Sequence, residues 1–261
     1  MWYIPRTTNA LTDKREFVMV TRRFATVIVT VLVVLGFAAP AAMAQVEGAP
    51  IPSVSELYTI KGQFSRIAYN NEGWVTLGYR VANGSQGTDW MLLEVGVTVR
   101  KPTKNQTLKR EDFRVKLPDG SMVPMASQEE FREAGYLRGL NKRASTVRDS
   151  INYFPSGANQ ACPMLFFSDP TSGSGALAFD QFEVSWQRAC LGRLFFKMPE
   201  GQTIEPGQYW MSVNFAGSTV EAPFRIMTKE EEKYLKKNWK DLKKEHEAFI
   251  KSELEKAQQQ Q

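Results

Sequence analysis

The chain has 261 residues, 43% hydrophobic, 23% charged and 11% aromatic, with a formal net charge of +5. The apolar share is ordinary for a globular protein and excludes wholesale disorder. One histidine and two cysteines are too few for a zinc site built from those ligands, and they leave little room for histidine-based catalysis.

Residues 24–39 (FATVIVTVLVVLGFAA) carry no charge; Arg22 and Arg23 precede them, and Pro40 and Ala42-Met43-Ala44 follow. A positive region, an apolar stretch and a small-x-small ending make a secretory signal peptide over residues 1–44, with cleavage expected before Gln45. Translation from Met19 would give a leader of ordinary length. The alternative is an uncleaved anchor, because residues 24–44 could just span a bilayer. Pro40 and the alanine-rich end favour cleavage. Losing residues 1–44 leaves 217 residues with 28 basic and 26 acidic side chains, a net of +2. So balanced a surface argues against nucleic-acid binding, which rests on phosphate neutralisation. Cys162 and Cys190 both survive cleavage, and an even count in an exported protein points to one disulfide. Two buried free thiols are the alternative.

Residues 45–55 are polar and contain proline, and read as a linker. From Leu57 onward the pattern is β. Tyr58, Ile60, Phe64 and Ile67 lie among polar residues, and Asn70-Asn71-Glu72-Gly73 is a turn cluster. Residues 74–81 (WVTLGYRV) alternate and end at Asn83-Gly84-Ser85, so they predict one strand. Residues 91–100 (MLLEVGVTVR) predict another. Phe113, Val115 and Leu117 share a face, and Pro118-Asp119-Gly120 turns the chain into residues 121–125, which predicts a hairpin. Ser127 and Glu130 form a capping box ahead of a short helix. Residues 127–160 form an excursion without a clear strand pattern. Strands are expected again at 164–167, 181–186, 194–197, 208–215 and 219–226, with a flexible connection at 171–175 (TSGSG). About nine closely spaced strands without βαβ alternation predict an antiparallel sandwich or barrel over residues 56–227. Leu165-Phe166-Phe167 and Leu194-Phe195-Phe196 echo one another, each just after a cysteine, and read as core strands tied at their starts.

Residues 228–261 contain no glycine or proline. Thr228 and Glu231 form a second capping box, and Leu235, Trp239, Leu242, His246 and Phe249 follow a 4-3-4-3 spacing. One amphipathic helix of about 28 residues, ~42 Å long, is expected. Its first half, through about Leu242, should dock on the domain, and its second half should project toward a partner.

No motif names a reaction. There is no Walker loop and no G-x-S-x-G elbow. Asp119, Asp169 and Asp180 do not form a calcium ladder. No catalytic residue, metal ligand or cofactor is expected. Arg138, Lys142, Arg143 and Arg148, with Tyr136, Tyr153 and Phe154, are the most suggestive patch: basic and aromatic side chains in an irregular insertion, suited to an anionic ligand or partner, against a plain reading as surface charge. His246 and Phe249 on the last helix complete the candidate partner-binding set.

The strand, LPDG turn and strand of residues 112–124 (DFRVKLPDGSMVP), with the PG-x-Y strand and final hairpin of residues 206–224, resemble secreted bacterial immunoglobulin-like β-sandwich domains of unassigned function. That resemblance implies a mainly β, immunoglobulin-like sandwich and brings no catalytic residues. The excursion at 127–160 and the C-terminal helix depart from it. The expected role is an exported, non-catalytic binding or scaffold protein, periplasmic or secreted. Its expected partner is another envelope protein, with the last helix as a docking or oligomerising element and no membrane span after cleavage. The alternatives are a carboxylate-dependent hydrolase of an envelope polymer and a structural protein held by an uncleaved anchor.

Overall fold

The computed structural model describes residues 58–168 and 177–259. The expected leader, the linker and the connection at 171–175 lie outside the described residues.

The protein is mainly β. A six-stranded sheet has the order β1-β2-β3-β4-β10-β8: β1 (Tyr58–Gly62), β2 (Ser65–Tyr69), β3 (Gly73–Gly78), β4 (Trp90–Val99), β10 (Arg188–Lys197) and β8 (Gln160–Pro163). A four-stranded sheet has the order β12-β11-β6-β7: β12 (Thr219–Ile226), β11 (Gly207–Asn214), β6 (Phe113–Lys116) and β7 (Met122–Pro124). The remaining pair is β5 (Gln106–Lys109) with β9 (Gln181–Val184). Neighbours pair antiparallel except β8 and β10, which run parallel. β12 packs against β2 and β3. Alternate residues of both large sheets, among them Val75, Val95, Val115, Val213 and Phe224, fill one core. Such burial is the main favourable term of the fold, at about 25 cal/mol per Å² of apolar surface.

The short-range expectations are met. Phe113, Val115 and Leu117 are buried, and the PDG turn closes with Gly120 at φ 87° and Asp119 accepting from the Ser121 N–H and Oγ. The side chain of Ser127 accepts from the Glu130 N–H while Glu130 accepts from the Ser127 N–H, and α2 (Gln128–Glu133) follows. Cys162 and Cys190 face each other in register on β8 and β10 and form the disulfide.

Other expectations are corrected. There are twelve strands among the described residues, and β5 and β9 pair only with each other. The strand expected at 74–81 stops at Gly78, and α1 (Arg80–Asn83) replaces its end. Tertiary contacts override the alternation there. Tyr79 donates its N–H to Phe64 O, and Asn83, itself buried, accepts from the Met227 N–H and donates to Glu232. The strand expected at 164–167 lies earlier, as β8. Residues 164–167 leave the sheet instead, and Phe166 packs edge-on against Phe113 and Phe182. The echo with 194–196 therefore holds at the cysteines but not in the strands that follow.

The excursion has its own place. β4 is buried along its whole length, so the six-stranded sheet must be covered on both faces. Met91, Leu93 and Val95 point into the main core. Trp90 and Leu92 point the other way and join Val81, Phe131, Leu137 and Phe195 in a second cluster beneath α2 and α3 (Leu137–Thr146). The excursion is thus the lid of the sheet's outer face.

The last helix, α4 (Lys229–Gln259), starts at the expected box: Thr228 Oγ1 accepts from the Glu231 N–H, and Glu231 accepts from the Thr228 N–H. It is not one regular helix. Asn238 has φ −108° and ψ 16°, and its Nδ2 donates to the Tyr234 carbonyl. That side chain takes the acceptor that the Asn238 N–H would use in an unbroken helix, which accounts for the kink. Docking extends beyond Leu242. Leu235, Leu242 and His246 are buried, and Phe249 is half-buried. Leu235→Ala is expected to cost about 2–5 kcal/mol of stability, as for other fully buried leucines. Phe249→Ala should cost well under that, and urea unfolding of the two variants would rank them. No helix among the described residues is long and apolar enough to cross a membrane.

Candidate functional site

Beyond the helical lid, residues 147–155 run across the outer face of the six-stranded sheet. The strands make room for them with glycine. A Cβ on Gly78 would stand 2.9 Å from Ile151 Cγ2, and one on Gly96 would stand 2.7 Å from the Phe154 ring. The segment is tied down by Trp74 Nε1 donating to Tyr153 O at 2.9 Å and by Ser65 Oγ donating to Ser150 O at 3.2 Å.

Between this segment and β10 lies a cleft of about 620 Å³ lined by Glu94, Arg148, Asp149, Ile151, Leu191 and Arg193, with Ser150, Asn152 and Gly192 beside them. Its floor is a cross-strand pair. Glu94 on β4 and Arg193 on β10 sit opposite each other in register, with Arg193 Nε 3.7 Å from Glu94 Oε1. Arg193 Nη1 also donates to the Asn141 side chain (2.6 Å) and carbonyl (3.2 Å) on α3. At the rim, Asp149 takes two hydrogen bonds from Arg80, at 3.0 and 2.8 Å. Burial pushes the Glu94 carboxyl above the usual carboxylate range; Arg193 and Arg148 pull it back, and Asp149 adds to the rise. Arg148 is exposed and makes no ion pair or side-chain hydrogen bond among the described residues, although its charge acts on Glu94.

The expected basic and aromatic patch is therefore divided. Arg148 reaches the cleft. Tyr153 is half-buried and serves it through its backbone, as the anchor for Trp74. Arg143 donates to Gly84 O at 2.7 Å, at the end of α1. Arg138 and Lys142 stand exposed on α3. His246 and Phe249 lie on α4, far along the chain. His246 turns inward: it is buried, its ring is 4.4 Å from that of Tyr58, and Nε2 donates to Tyr58 O at 2.8 Å. The chain itself occupies the face that this residue was expected to offer a partner.

Burial lowers the His246 pKa; the bond to Tyr58 opposes that and the Arg66 charge adds to it. The folded pKa thus lies below the unfolded value of about 6.5. The stability this represents is complete above pH 6.5 and is lost as pH falls through the folded pKa. His246→Gln keeps a donor for Tyr58 O and does not titrate. The variant should lose less stability than the parent between pH 7.5 and pH 5.5 in urea titrations; equal losses would refute the assignment.

Glu94 and Arg193 were not anticipated from sequence. The one Glu of MLLEVGVTV and the central Arg of RACLGRLFFK are charges inside apolar strands, but only pairing shows that they meet. The glycines of β3 and β4 were a second signal, since glycine inside a strand marks a close backbone approach. Among the described residues no group of three or more His, Cys, Asp or Glu side chains is placed to hold a metal ion. Comparison of the chain with protein-family models, with curated proteins and with solved structures finds no match in any of the three.

Proposed function

We propose that this chain is an exported, non-catalytic binding or scaffold protein of the bacterial cell envelope. It would use an immunoglobulin-like sandwich as its frame and the cleft over β4 and β10 as its recognition site. The observation that carries the reading is the state of the cleft's charges. Both carboxylates are engaged by guanidiniums, Asp149 by Arg80 and Glu94 by Arg193, while the group with no ion pair among the described residues is a cation, Arg148. A hydrolase working through two carboxylates needs their oxygens free for an acid and a base or nucleophile. An arginine without an ion-pair partner is instead suited to binding, because an anionic partner can complete it with strong charge-assisted hydrogen bonds. The disulfide supports an oxidising compartment, and the uncharged stretch after Arg22-Arg23 supports export. The role given to α4 is smaller than its sequence suggests, because its seam through His246 is spent on its own domain.

The test is affinity capture from envelope extract with the parent protein and Arg148→Glu, run beside an assay for new ends released from envelope polymer. The reading expects a partner held by the parent and not by the variant, and no release. Polymer cleavage that Glu94→Gln abolishes would overturn it in favour of the hydrolase.

A further inference from the structure

The cleft's chemistry narrows what it can take. Three guanidiniums (Arg80, Arg148 and Arg193) meet two carboxylates (Glu94 and Asp149), so the cluster carries one excess positive charge. A dianion would overshoot that charge and press against Glu94 and Asp149. A monoanion would balance it. The planar fork of an arginine matches a carboxylate, giving two parallel N–H···O bonds. The cleft is also not wholly polar. Ile151 and Leu191 line it, with Ser150 and Asn152 beside them, so a ligand body with both apolar and hydrogen-bonding parts has partners. At about 620 Å³ the space falls in the range of small-molecule sites.

We propose that the cleft binds an organic monocarboxylate, its carboxylate on Arg148 and its carbon skeleton against Ile151 and Leu191. The proposal rests on the reading of this cleft as a binding site. Arg193 acts as a positioning residue. Anchored to Asn141 and set beside Glu94, it holds the Glu94 carboxylate in the floor and keeps that charge from repelling the ligand. The carboxylate could belong to a free small acid or to the end of a polymer, and the chemistry at Arg148 is the same for both.

The test is calorimetric titration of the folded protein with four probes. N-acetyl-leucine and its amide ask whether the carboxylate is required. A hexapeptide ending in leucine, with free or amidated terminus, asks the same of a polymer end. The acid of at least one pair should bind, and its amide should bind at least about tenfold more weakly, a difference of about 1.4 kcal/mol. Whichever acid binds more tightly identifies the source. Arg148→Gln should lose the same factor while its unfolding midpoint stays at the parental value, since Arg148 is exposed. Three results would each overturn the proposal: no binding of either acid at millimolar concentration, equal binding of acids and amides, or inorganic phosphate binding as tightly as the acids. If partner capture still depends on Arg148 while the acids fail, the choice of ligand is wrong and the binding reading stands. If capture fails and the acids bind, the cleft is a small-molecule site and the role in holding an envelope partner falls.

Discussion

Arg66→Ala is expected to lower stability by about 3–5 kcal/mol, the combined cost of buried acceptors left without a donor and of the cavity that a large buried side chain leaves. Arg66 is fully buried on β2 and has no carboxylate within ion-pair distance among the described residues. Its compensation is made of dipoles. Nη1 donates to the carbonyls of Gly62, Ser65 and Gln63 at 3.1, 3.0 and 3.3 Å, and Nη2 donates to the Tyr79 hydroxyl at 2.5 Å. The guanidinium also lies 5.0 Å from the Tyr79 ring centre, and Tyr79 in turn donates to Gln63 O. Alanine would take the guanidinium from the carbonyls of Gly62 and Ser65, at roughly 1–3 kcal/mol for each one left unsatisfied, and would leave a cavity as well, while Gln63 O keeps the Tyr79 hydroxyl. Arg66→Met fills the space without donors and separates the two costs. It should recover part of the loss but not all of it. Urea unfolding with an unchanged m-value is the measurement. A loss under about 1 kcal/mol for alanine would show that the buried charge costs the fold as much as its bonds return.

Removing the disulfide is the second large effect. Cys162 and Cys190 are 28 residues apart, and closing a loop of that length stabilises by about 3.5 kcal/mol in the chain-entropy model. Its position raises the stake. β8 has four residues, ends in a proline, and among the described residues pairs only with β10, so the covalent link does much to hold this edge of the sheet. The Cys162→Ser/Cys190→Ala double variant should lose about 2–4 kcal/mol. Reductant should bring the parent down toward the variant and leave the variant where it is. A variant as stable as the parent, or one that reductant still shifts, would contradict this account.

Features set by neighbouring residues could be read before folding. Both capping boxes form as their four-residue spacing demands, because the side chain and the N–H it serves lie within one turn. The LPDG hairpin forms because proline and glycine restrict the backbone where they stand. The pairing of the cysteines was legible from their number and the expected export, and their in-register position on β8 and β10 was not.

Local pattern was enough for the β class, the hairpins, the starts of α2 and α4, and the disulfide. All of these arise from interactions short along the chain or from a pairing with no competitor. Tertiary structure decided the rest. It ended β3 at Gly78 because Asn83 was needed to receive Met227, more than 140 residues away. It drew α4 back over β1 as far as His246, because the bond to Tyr58 O joins residues 188 apart. It also made the cleft, since Glu94, Arg148 and Arg193 lie on three segments whose nearness comes only from sheet pairing and from a lid seated on glycine. Local pattern reports which face a residue prefers. Which distant residue meets it there depends on how the whole apolar surface is buried, and that is settled only when the sheets close on one another.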